Sequence, residues 1–266
     1  MRNLLAFRHL VRRGFTASAV PLVSITLAQL GLRIDRMRIS WIAALIAAVA
    51  LGIGVMAVRS PPLTIVYFIA TWAYYYVGNS LVLGAGWNFA AIRRLGVEVA
   101  FKRYEVLVGT MFVSQGLGVT AMCALIDEPI LLIPHAVALP LGAALLTIGF
   151  GTKTWAIHLV GLDTYYFKDL FTGELHGSLV TRGPYRWLAN PMYGVGQLHA
   201  YGLALMSNSM SGLVAAAFCQ LSIYGFYFAV ERPFLARLLP APGRAAEAQA
   251  GHELPVDAAG RPEDIR

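Results

Sequence analysis

The sequence predicts an all-α fold, a polytopic transmembrane helical bundle of about six spans that ends in a helical hairpin. Three observations predict it. Hydrophobic residues make up 58% of the chain and charged residues 13%, a balance from which a water-facing surface cannot be assembled. The charged residues fall in short groups, and the uncharged runs between them reach the about 20 helical residues that a hydrocarbon core requires. Lys and Arg also distribute unevenly between alternate connections, as expected of a chain that crosses a membrane repeatedly.

Ile39 to Val58, bracketed by Arg38 and Arg59, is the first span. The second lies in the uncharged stretch Ser60 to Ile92 and begins at Pro61 and Pro62. A third runs from Val106 to Ile126 and stops at Asp127 and Glu128; a fourth runs from Pro129 to Thr152 and stops at Lys153. Trp187 to Val230 is uncharged and too long for one crossing, and the cluster Ser207, Asn208, Ser209, Met210, Ser211, Gly212 divides it into spans five and six. Gly14 to Leu32 is also uncharged, but counting it as a span sets Arg33, Arg36 and Arg38 opposite Arg2, Arg8, Arg12 and Arg13. Leaving it out gathers all of these on one side with the Arg93–Arg103 loop, the Lys153–Arg186 loop and the C-terminal tail, and only Arg59 falls opposite. Six spans with both termini cytoplasmic result. A bacterial inner membrane and the endoplasmic reticulum both suit this arrangement.

Residues 1–38 then form a basic N-terminal segment whose Leu4, Leu5, Phe7, Leu10 and Val11 suit a helix lying in the headgroup region. Residues 39–239 form the membrane domain. Residues 240–266, rich in Ala, Pro, Gly and acids, read as a disordered cytoplasmic tail. The net charge of +7 comes from arginines that flank spans, not from a basic stripe with interleaved aromatics, so no nucleic acid partner is expected. Cys123 and Cys219 lie inside spans without metal-ligand spacing, so neither a disulfide nor a metal site is expected.

Polar groups concentrate between Gly149 and Phe234. Asn190 followed by Pro191 is a helix-start signal, and a helix N-terminus with Arg182 and Arg186 just before it attracts a carboxylate or phosphate. Ordinary membrane anchoring explains the arginines equally well. In Gly149-Phe150-Gly151 the two glycines lack side chains, where either a flat ligand or another helix could approach the backbone. Glu231, followed by Arg232, Pro233 and Phe234, is either a cation-binding carboxylate at the membrane boundary or an acid paired with Arg232. His199 falls inside span five, where an ionisable group needs polar company.

Together these segments, over roughly Gly149 to Leu239, resemble the phosphatidylethanolamine N-methyltransferase family, relatives of the isoprenylcysteine carboxyl methyltransferases. The resemblance rests on Asn190-Pro191-Met192-Tyr193, continued by Gly202 and Ala204, then Ser209, Gly212 and Leu213, then Glu231-x-Pro233-Phe234; Gly183-Pro184-Tyr185-Arg186 matches the wider superfamily. It implies a methyltransferase that uses S-adenosylmethionine without a metal and takes a membrane phospholipid as its acceptor. The implied cofactor contacts are Gly149, Gly151, Arg186, Asn190, Pro191, Tyr193, Glu231 and Arg232, and the implied catalytic groups are Glu231, His199 and Tyr193. No Rossmann unit is expected, and none is written in the sequence. Arg232 stands where the family commonly has a second acid, and Ala189-Asn190-Pro191 stands where the superfamily often has Arg-His-Pro. The Asn favours a lipid amine over a prenylcysteine carboxylate, which stays the alternative within enzymes, with a transporter or scaffold outside them.

Overall fold

In hydrocarbon a backbone must satisfy its own polar groups, so long apolar runs become helices. The structure, a computed structural model, describes residues 22–36, 38–130, 132–176 and 180–238. Among its helices are α1 (Ile39–Val58), α2 (Pro61–Trp72), α3 (Trp87–Leu95), α4 (Val97–Leu125), α5 (His135–Val160), α6 (Leu198–Met206), α7 (Met210–Phe226) and α8 (Arg232–Leu238). Two wide π turns, Ala73–Val77 and Ser80–Gly84, carry α2 onward, and a third, Tyr227–Glu231, joins α7 to α8. Among the described residues no strand forms; β pairing is limited to an isolated bridge between Pro129 and Ser209.

Among the described residues, four helical stretches are long and apolar enough to cross a membrane: Ile39–Val58, Val97–Leu125, His135–Val160 and Met210–Leu238. The other two expected crossings take a different form. The second is helical but broken by its π turns. The fifth has only the nine residues of α6, preceded by turns. Non-helical backbone is tolerated at membrane depth where it borders a protein cavity, and that is where this stretch lies.

The turn between α6 and α7 coincides with the polar cluster in the sequence. Ser209 Oγ accepts a 3.0 Å hydrogen bond from Gly212 N and caps α7. Ser211 Oγ donates to Glu128 Oε2 at 2.9 Å, tying this turn to the end of α4.

At the opposite end the arginines are held by carboxylates. Arg33 Nη1 donates to Glu105 Oε1 and to Asp163 Oδ1, both at 2.7 Å, and Arg36 reaches the same two acids at 3.0 and 3.1 Å. Lys168 adds a 3.0 Å bond to Asp163. The start of α1, the first turns of α4 and the chain after α5 thus share one end of the bundle, the grouping that the charge pattern predicts. The side chains of Arg33 and Glu105 are only 3% and 1% exposed. Burial pushes the Asp163 carboxyl up, but hydrogen bonds from Arg33 and Lys168 and the charges of Arg33 and Arg36 outweigh it and hold the group at about 2.

The described part of the N-terminal segment is docked into the bundle. Residues 22–29 are helical, Ile25 and Ala28 are buried, the Tyr166 hydroxyl donates to the Ala28 carbonyl at 3.0 Å, and Gln29 Nε2 donates to Thr154 Oγ1 at 2.8 Å. Residues 1–21 of the expected interfacial segment 1–38, and the expected disordered tail 240–266, lie outside the described residues.

α5 and α6 approach almost backbone to backbone. A Cβ on Gly142 would sit 2.7 Å from the Gly202 carbonyl oxygen, and one on Gly149 would collide with the His199 amide nitrogen. Small residues make this approach possible.

Candidate active site

Segments far apart in sequence meet around a cavity of about 1340 Å3 at the arginine-rich end. Phe150 and Lys153 come from α5, Tyr185, Asn190 and Tyr193 from the turns after it, and His199 from α6. The π turn after α7 supplies Tyr227 and Glu231. Tyr75 and Tyr76 of the first π turn after α2 and Gln115 of α4 add polar groups, while Leu45, Val49, Val113 and Leu117 make a long apolar wall from α1 and α4.

Asn190 does act as a cap, its Oδ1 accepting from Tyr193 N at 3.2 Å. A regular helix does not form at once. Residues 191–194 form turns, Val195–Gln197 a 3-10 turn, and α6 begins only at Leu198. Gly194 and Gly196 lower helix propensity here, and the fully buried Pro191 gives its carbonyl to Gly196 N at 2.7 Å instead of starting a helical ladder.

This turn aims Tyr193 across the cavity. Its hydroxyl donates to Glu231 Oε2 at 2.9 Å, while its own carbonyl accepts from Gln220 Nε2 at 3.2 Å and Gln220 is held by the Tyr201 hydroxyl at 2.7 Å. Glu231 ends a π turn, the kind of local widening that redirects a side chain from a helix's regular rows. Opposite it, Gly84 in the second π turn after α2 lets Val230 pack close, at 3.0 Å from where a Cβ would be. Tyr227 meets the Tyr193 ring edge to face, with centroids 6.3 Å apart. Tyr185 is drawn into the same electrostatic environment: burial first, and then the Glu231 charge, push its phenol above the ordinary tyrosine range. Its buried hydroxyl has no hydrogen-bond partner among the described residues.

His199 lies elsewhere on the cavity wall. Its Nδ1 donates to the Gly196 carbonyl at 2.7 Å, which leaves Nε2 as an acceptor, and Phe150 meets its ring edge to face at 5.4 Å.

The structure therefore brings Glu231, Tyr193, Asn190 and His199 to one cavity and leaves the other candidates outside its lining. Gly149 serves the packing of α5 on α6, and Gly151 faces outward with nothing within 4 Å of a Cβ. Arg186 and Arg232 are exposed, and the Arg232 guanidinium lies 5.7 Å from the Phe228 ring centroid. No ion pair between Arg232 and Glu231 forms, so the expectation of a simple solvated pair is not met. Of the two arginines before Asn190, Arg182 is the one at the cavity.

Residues 137–241 match the phospholipid methyltransferase family. This part of the chain is similar to that family. Among curated relatives, the phosphatidylethanolamine N-methyltransferase of Schizosaccharomyces pombe is 32% identical over 96 residues, covering 36% of this chain and 10% of that protein. That of Schizosaccharomyces japonicus is 28% identical over 120 residues, 45% of this chain and 13% of the other. Phosphatidylethanolamine N-methyltransferase B of Dictyostelium discoideum is 28% identical over 108 residues, 41% of this chain and 54% of the other. The chain thus spans between about a tenth and about half of the relatives it matches. No solved structure matches it. The family match begins in α5 and ends past α8, so it contains the polar cavity residues from Lys153 to Glu231 and excludes Tyr75, Tyr76 and Gln115, which the first π turn and α4 bring to the same cavity.

Sequence reasoning missed Lys153, Tyr75, Tyr185 and Tyr227 as cavity residues. Lys153 did carry a signal, a lone cation closing a long apolar run, but that signal reads as a membrane boundary. Tyr75 and Tyr227 carry none, because aromatic residues are common at both membrane interfaces, and Tyr185 stands in the Gly183–Arg186 run, which the resemblance singles out without pointing to a cavity.

Proposed function

We propose that this cavity is where the amine of a phosphatidylethanolamine headgroup, or of its partly methylated forms, receives a methyl group from S-adenosylmethionine. The observation that carries the reading is the Glu231–Tyr193 pair. A carboxylate set among Tyr75, Tyr185, Tyr193 and Tyr227 in one cavity, without a counter-cation among the described residues, suits a sulfonium or ammonium ligand. The family match over residues 137–241 supports the chemistry, and the relatives' names support the acceptor.

S-adenosylmethionine, when bound, supplies an activated methyl group on its sulfonium. The chain's residues do the rest. Glu231 holds positive charge at the reaction centre, and Tyr193 fixes the orientation of the carboxylate. A headgroup ammonium has no lone pair, so it must give up a proton before nitrogen can attack; Glu231 is the proton acceptor we assign. With the donor held at Glu231 and Tyr193, its methyl would pass to the nitrogen lone pair with the thioether as leaving group, and these residues would contribute mainly alignment and fixed charge. The tyrosines keep water from the centre. Leu45, Val49, Val113 and Leu117 offer an apolar path for an acyl chain, so that the lipid enters sideways from the bilayer.

The test is purified protein in lipid vesicles with methyl-labelled S-adenosylmethionine and either phosphatidylethanolamine or a farnesylated cysteine. Label in the phospholipid fraction supports the proposal. Label in the cysteine ester instead assigns a carboxyl methyltransferase, and label in neither rejects methyl transfer to both acceptors.

A further inference from the structure

Besides Glu231, Asp169 and the exposed Arg182, the cavity wall carries Lys153, to which methyl transfer at Glu231 gives no role. Lys153 lies on α5 about two turns before the helix ends at Val160, roughly 10 Å along the axis. Its stem packs against the turn before α6, where a Cβ on Gly196 would lie 3.3 Å from the lysine Cβ. Its ammonium sits 5.8 Å from the centroid of the Tyr165 ring. Among the described residues it forms no ion pair. The two carboxylates that share the cavity wall are occupied elsewhere, Asp169 by His176 at 2.9 Å and Glu231 by Tyr193.

A charge removed from bulk water is costly unless something pairs with it. Here one cavity holds a carboxylate and an ammonium that do not pair with each other. The turn from Asn190 to Gly196 touches both, sending Tyr193 to Glu231 and meeting the Lys153 stem at Gly196. Such a cavity is complementary to a ligand with separated charges of both signs, its cationic end at Glu231 and its anionic end at Lys153. The helix start at Asn190, expected from the sequence to attract the anion, is broken into turns and offers less of a dipole than a regular helix.

We propose that Lys153 is the anion-binding group of this cavity and holds a negatively charged oxygen, either the phosphodiester of the acceptor lipid or the carboxylate of the methyl donor. The proposal rests on the methyltransferase reading and adds to it the group that sets the reach between the ligand's charges. A compact ammonium accepts either anion as a point charge and does not need the flat two-point geometry of arginine. His199, hydrogen-bonded to the Gly196 carbonyl beside the lysine stem, completes the polar wall.

The test uses the full chain in detergent micelles as wild type, Lys153→Met and Lys153→Arg. Calorimetry measures the Kd of S-adenosylhomocysteine and the Kd of short-chain phosphatidylethanolamine separately, and thermal unfolding reports the fold. If Lys153 holds the phosphodiester, Lys153→Met weakens lipid binding about tenfold or more and leaves S-adenosylhomocysteine unchanged. If it holds the carboxylate, the pattern reverses. In either case Lys153→Arg recovers most of the affinity, and Lys153→Met does not lower the unfolding midpoint. Two unchanged Kd values, or losses that merely track a lowered midpoint, overturn the proposal. Wild-type protein that binds both ligands but transfers no methyl group overturns the methyltransferase reading and leaves the anion site to be judged on the Kd values. Wild-type protein that binds neither overturns both.

Discussion

The hydroxyl of Tyr193 donates a 2.9 Å hydrogen bond to Oε2 of Glu231, joining the turn before α6 to the π turn after α7. If this bond orients the carboxylate, Tyr193→Phe leaves the acid in place but free to rotate. A hydrogen bond to a charged group contributes about 1.5–3 kcal/mol, so kcat/KM for methyl transfer is expected to fall about tenfold or more with little change in the unfolding midpoint. Unchanged kinetics in steady-state assays would show that the bond does not serve the reaction.

The two glycines of the Gly-x-Gly run should behave oppositely. A methyl group on Gly149 meets the backbone of His199, and overpacking of this kind costs about 1–3 kcal/mol. Gly151 has open space and a helical backbone, where alanine is favoured over glycine. Thermal unfolding in detergent should show Gly149→Ala clearly destabilised and Gly151→Ala unchanged or slightly stabilised. Equal effects would mean that the contact between α5 and α6 is misassigned.

Arg33 and Glu105 test the buried ion cluster. Removing one member of a buried pair costs about 3–5 kcal/mol because the other is left short of partners, whereas replacing both with apolar groups costs much less. Arg36 still reaches Glu105 at 3.0 Å, which places Arg33→Met toward the lower end of that range. Chemical unfolding of Arg33→Met, Glu105→Met and the double variant should give a double-variant loss well below the sum of the single losses. Additive losses would contradict a coupled pair.

The same cluster predicts a response to acid. Asp163 is held at about 2, below its ordinary value, so the unfolded chain binds its proton first as the pH falls. Its contribution is fully present above the ordinary aspartate range, near 4, and is lost as the pH drops toward about 2. Asp163→Asn should therefore have an unfolding midpoint less dependent on pH than wild type between about pH 4 and 2. Parallel pH profiles would show that the ion pairs do not depress this carboxyl.

Much of the architecture is legible in the residues themselves. The Ser207–Gly212 cluster marks the α6–α7 turn because Ser209 can cap the start of α7, and the arginines fall at one end because Glu105 and Asp163 collect them there. Asn190 is readable as a cap, but the backbone path after it is not, since two glycines and a bordering cavity decide it jointly. The π turns at Ala73–Val77, Ser80–Gly84 and Tyr227–Glu231 leave no periodic trace, because one widened turn shifts the pattern by less than a short window resolves. Lys153 looks like a membrane-boundary residue in one dimension; only the packing of its stem on Gly196 reveals the cavity beside it. Gly151 shows the reverse error, since a spacing that suits a ligand says nothing about which face of α5 the residue occupies.

Methylation of a phospholipid amine at the Glu231–Tyr193 centre is tested most directly by the rate at which methyl label from S-adenosylmethionine enters phosphatidylethanolamine in vesicles. That rate is measured for wild type and for Glu231→Gln at equal amounts of folded, inserted protein. Labelled lipid with wild type and loss of most of that rate with the variant is the predicted result. No labelled lipid with wild type, or an undiminished rate with Glu231→Gln, would contradict it.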